Sequence, residues 1–121
     1  MAAHSVLAVI EEEGLEQNVK ERGDQLEAGL RELYEKYELV GDVRGEGLMR
    51  ALEVVETREG KVPAQERAIT VGKVLREEGV ICVRGGVTRN VFRMNPPMCI
   101  KKDEITQLLS AMDKALRVAS S

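Results

Sequence analysis

Apolar residues recur at the helical period through the first third of the chain. Val6, Leu7, Val9 and Ile10 form one apolar turn, cut by Glu11, Glu12 and Glu13 and followed by Gly14. Gly14 there predicts a helix stop or kink. A second stripe runs Leu15, Val19, Leu26, Leu30, Leu33 and Tyr37, in steps of four, seven, four, three and four. Gly23 falls where the stripe skips a turn and predicts a close packing contact. At Leu39 the pattern changes. Gly45-Glu46-Gly47 suits a turn joining Gly41–Arg44 to an apolar strand over Leu48–Val55, with a charged loop over Thr57–Val62.

Pro63 suits the first turn of a second helix, lined by Ala68, Val71, Gly72 and Leu75 and stopped by Gly79. Val80–Val83 and Val91–Met94 read as strands, the first broken by Gly85-Gly86 and the second ended by Asn95-Pro96-Pro97. A last helix over about Lys102–Val118 carries Ile105, Leu108, Leu109, Met112, Leu116 and Ala119 on one stripe. The fold expected is α+β: a small, mainly antiparallel sheet with helices on one face, preceded by a long N-terminal helical segment. Two parts are expected, a helical arm at 1–37 and a small domain at 38–121. Leu26, Leu30, Leu33, Leu52, Val54, Ile81, Val83, Leu108, Leu109 and Met112 are the expected core.

Composition narrows the functional classes. With 121 residues the chain has room for one real core and not for a cofactor domain plus a substrate domain. A net charge of −3 and only three aromatics (Tyr34, Tyr37, Phe92) argue against a nucleic-acid partner. One histidine, His4, and two cysteines, Cys82 and Cys99, cannot build a usual zinc site, so no metal is expected. Neither signal peptide nor membrane helix is read, and a reducing compartment follows: the cytoplasm by default, with a mitochondrial address left open.

Most candidate chemistry has a plain structural reading. Arg44-Gly45-Glu46-Gly47-Leu48-Met49 precedes a strand instead of a helix, so it reads as a hairpin and not as a phosphate loop. Gly85-Gly86 reads as a turn. Glu11–Glu13 and Glu77-Glu78 read as solvated helix faces, His4 as a surface residue, and Cys82 and Cys99 as small core residues. Arg93 stands apart. Strand alternation puts Val91 and Arg93 on one face and Phe92 and Met94 on the other. An arginine held on a strand suits bidentate recognition of a carboxylate or phosphate. The alternative is an edge-strand charge that limits aggregation, and pattern alone does not separate the two.

The run Asn90-Val91-Phe92-Arg93-Met94-Asn95-Pro96-Pro97-Met98-Cys99-Ile100 closely resembles the C-terminal signature of class III aminotransferases, fold-type-I enzymes that use pyridoxal phosphate. Val40-Gly41-Asp42-Val43-Arg44-Gly45-Glu46-Gly47-Leu48-Met49 is similar to the same family at its expected distance upstream. Glu11–Leu15 and Asn18–Gly23 resemble the helix before it. The three motifs are in order, and the alanine–glyoxylate aminotransferase branch is the most similar.

The resemblance is to the C-terminal small domain, and it implies that Arg93 binds the substrate α-carboxylate. It assigns no catalytic and no cofactor-binding residue to this chain. The family's Schiff-base lysine and phosphate cup belong to a large domain, and Lys20, Lys36, Lys61, Lys73, Lys101, Lys102 and Lys114 match other parts of the family. Implied, then, is part of an enzyme transferring an amino group between an amino acid and a 2-oxo acid, inactive and without pyridoxal phosphate on its own. Its expected partners are that large domain or a second copy in a homodimer. A non-enzymatic oligomerisation or carboxylate-binding regulatory module is the alternative. Three positions depart from the family. Ala51 stands for the usual glycine, Arg50 puts a charge in a usually neutral strand, and Lys101 stands for the usual Ser or Thr cap, a loss of about 1 kcal/mol unless Lys102 or Asp103 compensates.

Overall fold

A computed structural model of the protein describes residues 2–59, 62–80, 82–85 and 90–120, with side chains from Gly14 onward except at 57, 62, 63 and 83. Helix α1 runs Ala2–Lys36, followed by β1 (Val40–Glu46), β2 (Met49–Thr57), β3 (Val62–Pro63), α2 (Gln65–Glu77), β4 (Val83–Gly85), β5 (Val91–Met94) and α3 (Lys102–Ser120). The sheet order is β1-β2-β5-β4, with β3 added to β2, and every pairing is antiparallel. This is the α+β arrangement read from the pattern. None of the described helices is long and apolar enough to cross a membrane.

One face of the sheet carries Val43, Leu52, Val54, Phe92 and Met94. All are buried, in one cluster with Leu26, Leu30 and Leu33 of α1, Ala68, Val71 and Leu75 of α2, and Ile105, Met112 and Leu116 of α3. Seven of the ten expected core residues are buried. Leu109 is only partly buried, because it lies at the rim of the core against α1. Ile81 and the Val83 side chain lie outside the described residues, as do the side chains of His4, Val6, Leu7, Val9, Ile10 and Glu11–Glu13.

Several boundaries differ from the expectation. Gly14 does not stop α1, which spans 35 residues in all, about 50 Å of helix. A glycine inside a helix costs only about 1 kcal/mol, too little to break one anchored by its second half. Pro63 does not open α2. It pairs with Val55 as the end of β3, and α2 starts two residues later. β2 and β3 thus take in both ends of the expected charged loop. The strand expected at Val80–Val83 forms at Val83–Gly85, because pairing with Val91–Arg93 of β5 fixes its register there.

The glycines explain how α1 sits on the hairpin. A Cβ on Gly23 would lie 2.8 Å from the carbonyl oxygen of Gly47, so only glycine lets the helix reach the β1–β2 turn. This is the packing contact expected at Gly23. Arg50 fastens the same joint. Its Nε donates to Gly47 O (2.8 Å), its Nη1 donates to Gly45 O (3.0 Å) and lies 3.6 Å from Glu27 of α1. Arg50 therefore occupies the helix-covered face. At the far end of α1, the Arg58 guanidinium stacks on the Tyr34 ring at 3.9 Å and donates to the Tyr34, Tyr37 and Val40 carbonyls. A cation there satisfies the last carbonyls of the helix.

α2 ends as expected at Gly79. With φ +79°, Gly79 donates to Arg76 O (3.0 Å) and Val80 to Leu75 O (2.8 Å), the paired bonds of a Schellman stop. At α3 the substitute cap is neither Lys102 nor Asp103. Glu104 Oε1 accepts from the Lys101 backbone N–H at 3.0 Å, the return half of a capping box. Asn18 of α1 donates to the Met98 and Ile100 carbonyls, both at 2.8 Å, tying the double-proline segment to the helix.

Where α1 meets α3, Lys36 Nζ lies 2.7 Å from Asp113 Oδ1, and the Tyr37 hydroxyl donates to the same oxygen at 2.9 Å. The Lys36 ammonium, then the Tyr37 hydroxyl, hold the Asp113 carboxyl below its ordinary range against partial burial. A depressed folded pKa adds stability above the unfolded value, about 3.9, and loses it as pH falls through the lower folded value. Asp113→Asn is therefore expected to lower the urea midpoint at pH 7. The gap from the unmodified chain should close below about pH 4.

Candidate functional site

The second face of the sheet carries the charges. Cross-strand register sets two rows on it: Arg44, Ala51, Arg93 and Val83 in one, Asp42, Glu53, Val91 and Gly85 in the next. Among the described side chains of these rows, none belongs to the core cluster shared with the helices.

Arg93 is exposed on this face. β5 lies between β2 and β4, so Arg93 projects from an interior strand. The edge-strand reading of its charge falls, since the edges of this sheet are β1 and β4. Ala51 and Val83 are its direct cross-strand neighbours. Its Nε lies 3.9 Å from where a side chain on Gly85 would begin, so the guanidinium stem leans over a bare stretch of β4. Among the described residues no carboxylate pairs with it. Its fork is open to a planar anion, the arrangement that bidentate carboxylate binding requires.

The other arginine of the row is engaged. Arg44 Nη1 lies 3.1 Å from Asp42 Oδ2 and 3.1 Å from Glu53 Oε2. Burial draws the Arg44 pKa down, but hydrogen bonds to Glu53 and Asp42 outweigh it and hold the group above its ordinary value. Asp42 and Glu53 stand directly opposite each other, a pairing of like charges that is unfavourable without a cation between them. Sequence reading missed this cluster. Its signal, alternating charges at Asp42 and Arg44 and a single one at Glu53, acquires meaning only once β1 and β2 are set in register.

At the floor of the motif, Asn90 is 2% exposed. Its side-chain amide donates to Val54 O (2.8 Å), and its own carbonyl accepts from Val54 N–H (2.8 Å). Asn90 thereby extends the β2–β5 pairing past Val91 and fixes the strand that carries Arg93. Gly85 belongs to β4, and Gly86 lies outside the described residues.

Neither cysteine lies with Arg93. Cys99 is exposed, against the expectation of a core position, because it follows the two prolines on the outside of the loop leading to α3. Cys82 is half-buried, and burial pushes its thiol up to about 11. At pH 8 only roughly a thousandth of it would be thiolate, the reactive form. Iodoacetamide at that pH should label Cys99 and spare Cys82, as peptide mapping by mass spectrometry would show. Among the described residues no cluster of His, Cys, Asp and Glu could hold a metal ion.

The described lysines lie away from Arg93. Lys20, Lys36, Lys73, Lys101, Lys102 and Lys114 are all exposed, on the helices or beside them, and none shares the open sheet face with Arg93. Lys36 and Lys114 are paired, with Asp113 and Glu78 respectively. An imine-forming lysine with a phosphate cradle does not fit what these residues offer.

The profile of the family described as Aminotransferase class-III matches residues 1–116. The chain belongs to the class III aminotransferases. It is 42% identical to the mitochondrial alanine–glyoxylate aminotransferase 2 homolog 2 of Arabidopsis thaliana over 95% of this chain and 24% of that protein. It is 33% identical to the ethanolamine-phosphate phospho-lyase homolog 1 of Caenorhabditis elegans, over 95% of this chain and 25% of that one. An amine transaminase from an uncultivated Pseudomonas species, solved with pyridoxal phosphate as an internal aldimine, superposes with a TM-score of 0.82 and 32% identity. That match covers 98% of this chain and 27% of the transaminase. The chain thus spans about a quarter of the length of the relatives it matches. Pyridoxal phosphate is the cofactor of family homologues.

Proposed function

We propose that this chain is the small-domain quarter of a class III aminotransferase and supplies the group that binds the substrate α-carboxylate, Arg93. The parent reaction moves an amino group between an amino acid and a 2-oxo acid. The observation that carries this reading is an arginine with no carboxylate partner among the described residues, exposed on an interior strand of the open sheet face, inside the motif that ends in Asn95-Pro96-Pro97. Residues 1–37 act as the interdomain helix and 38–121 as the small domain. The remaining three quarters of a family-length protein would bring the lysine and the phosphate-binding groups. A second copy could also meet this chain through the apolar turn at Val6–Ile10.

An exchange experiment tests the reading. The matching quarter of the Arabidopsis relative is replaced by this chain, and amino transfer from alanine is followed. The chimera should be active. The chain alone, incubated with pyridoxal phosphate, should give no absorbance band that survives dialysis. A stable imine placed by mass spectrometry on one specific lysine of the isolated chain would overturn the view that the cofactor site lies elsewhere. An inactive chimera that folds and binds cofactor would overturn the small-domain assignment.

A further inference from the structure

Two arginines share one row of the open face. Arg44, on β1, holds Glu53 and Asp42 at 3.1 Å each. Arg93, two strands away, has no carboxylate partner among the described residues. Between them lies Ala51, too small to separate long side chains, and Glu53 is placed diagonally to both. It is opposite Asp42 on one side and opposite Val91, two residues from Arg93, on the other. Diagonal neighbours on one face are about 7–8 Å apart, within reach of a Glu and an Arg. Glu53 could therefore pair with either arginine. Its side chain is only 16% exposed and lies on Arg44.

We infer that Arg44 is a positioning residue that draws Glu53 toward β1 and so keeps the Arg93 guanidinium unpaired for a substrate carboxylate. This rests on the reading of Arg93 given above. Without Arg44 the two opposed carboxylates, Asp42 and Glu53, would lose the cation between them. On this face, among the described residues, the nearest remaining cation for Glu53 is Arg93. Capture of Arg93 by Glu53 would then compete with the substrate carboxylate for the same fork.

The test uses the chain itself. Arginine Nε–Hε signals are followed by ¹⁵N NMR in the unmodified chain, in Arg44→Gln, in Glu53→Gln and in the double variant Arg44→Gln/Glu53→Gln, with and without sodium pyruvate. In Arg44→Gln the Arg93 signal should move to an ion-paired position before any pyruvate is added. Its response to pyruvate should weaken roughly two- to fivefold, the competition expected of an exposed ion pair. Glu53→Gln alone should leave Arg93 unchanged, and the double variant should restore the unmodified behaviour. An Arg93 signal unmoved in Arg44→Gln, or one not restored in the double variant, overturns the inference. Should Arg44→Gln fail to fold, Arg44→Met replaces it, and the same movement of Arg93 is expected; no movement overturns the inference equally. If Arg93 moves in Arg44→Gln but never responds to pyruvate in the unmodified chain, then the carboxylate reading of Arg93 fails while the contest for Glu53 stands.

Discussion

Phe92→Ala is expected to cost the fold about 3–5 kcal/mol, while Arg93→Ala, one residue along, should change stability by no more than about 1 kcal/mol. Phe92 is 1% exposed and stands opposite Leu52 on the helix-covered face. A Cβ on Gly72 of α2 would lie 3.6 Å from the Phe92 ring, so the ring faces α2 at this glycine. Neighbours relax only partially around a truncated core ring, so a cavity term adds to the lost transfer energy. Domains of this size hold about 5–15 kcal/mol in all, and Phe92 alone would account for a large share. Arg93, on the opposite face, has no carboxylate partner to lose among the described residues. Urea unfolding of the two variants reads the contrast directly. A midpoint for Arg93→Ala as low as that for Phe92→Ala would mean that Arg93 is structural.

That two adjacent residues have such different surroundings follows from strand alternation, which is legible in Val91-Phe92-Arg93-Met94 without a structure. α3 was legible for a similar reason: its stripe has a consistent period, and Gly79 marks the end of α2 through a backbone angle that glycine adopts readily. What pattern could not supply was information held between segments. β3 is two residues long and shows no period. Gly14 looks like a stop because its neighbours are charged, yet the helix is anchored far away, by Leu26, Leu30 and Leu33. That Arg93 lies on an interior strand depends on β5 inserting between β2 and β4, a matter of strand order. The Arg44–Glu53 pair depends on a register that shifts between Val40 and Asp42. The shift leaves Arg44 opposite Ala51 and Asp42 opposite Glu53, and the residue types alone do not contain it.

In the chimera with the Arabidopsis relative, Arg93→Ala should lower kcat/KM for alanine by about 10²–10³-fold, with less loss for an amine donor that lacks a carboxylate. A charged bidentate pair sheltered between two domains is worth roughly 3–4 kcal/mol when one partner is deleted, and each 1.36 kcal/mol is tenfold in rate. The loss should fall largely on KM where the arginine binds substrate and transition state equally. It should extend to kcat insofar as the fork also fixes the angle at which the amino acid reaches the cofactor. Arg93→Lys separates charge from shape. A lysine restores the point charge but not the planar fork, so it should recover only part of the loss. The carboxylate-free amine supplies the decisive arm. If Arg93→Ala reduces its turnover as much as that of alanine, the arginine is not reading the carboxylate, and its place on the open face must serve the contact between domains instead. If alanine alone suffers, the unpaired guanidinium on β5 is the substrate-carboxylate site, and the bare glycine of β4 beneath it is what leaves the fork room to turn.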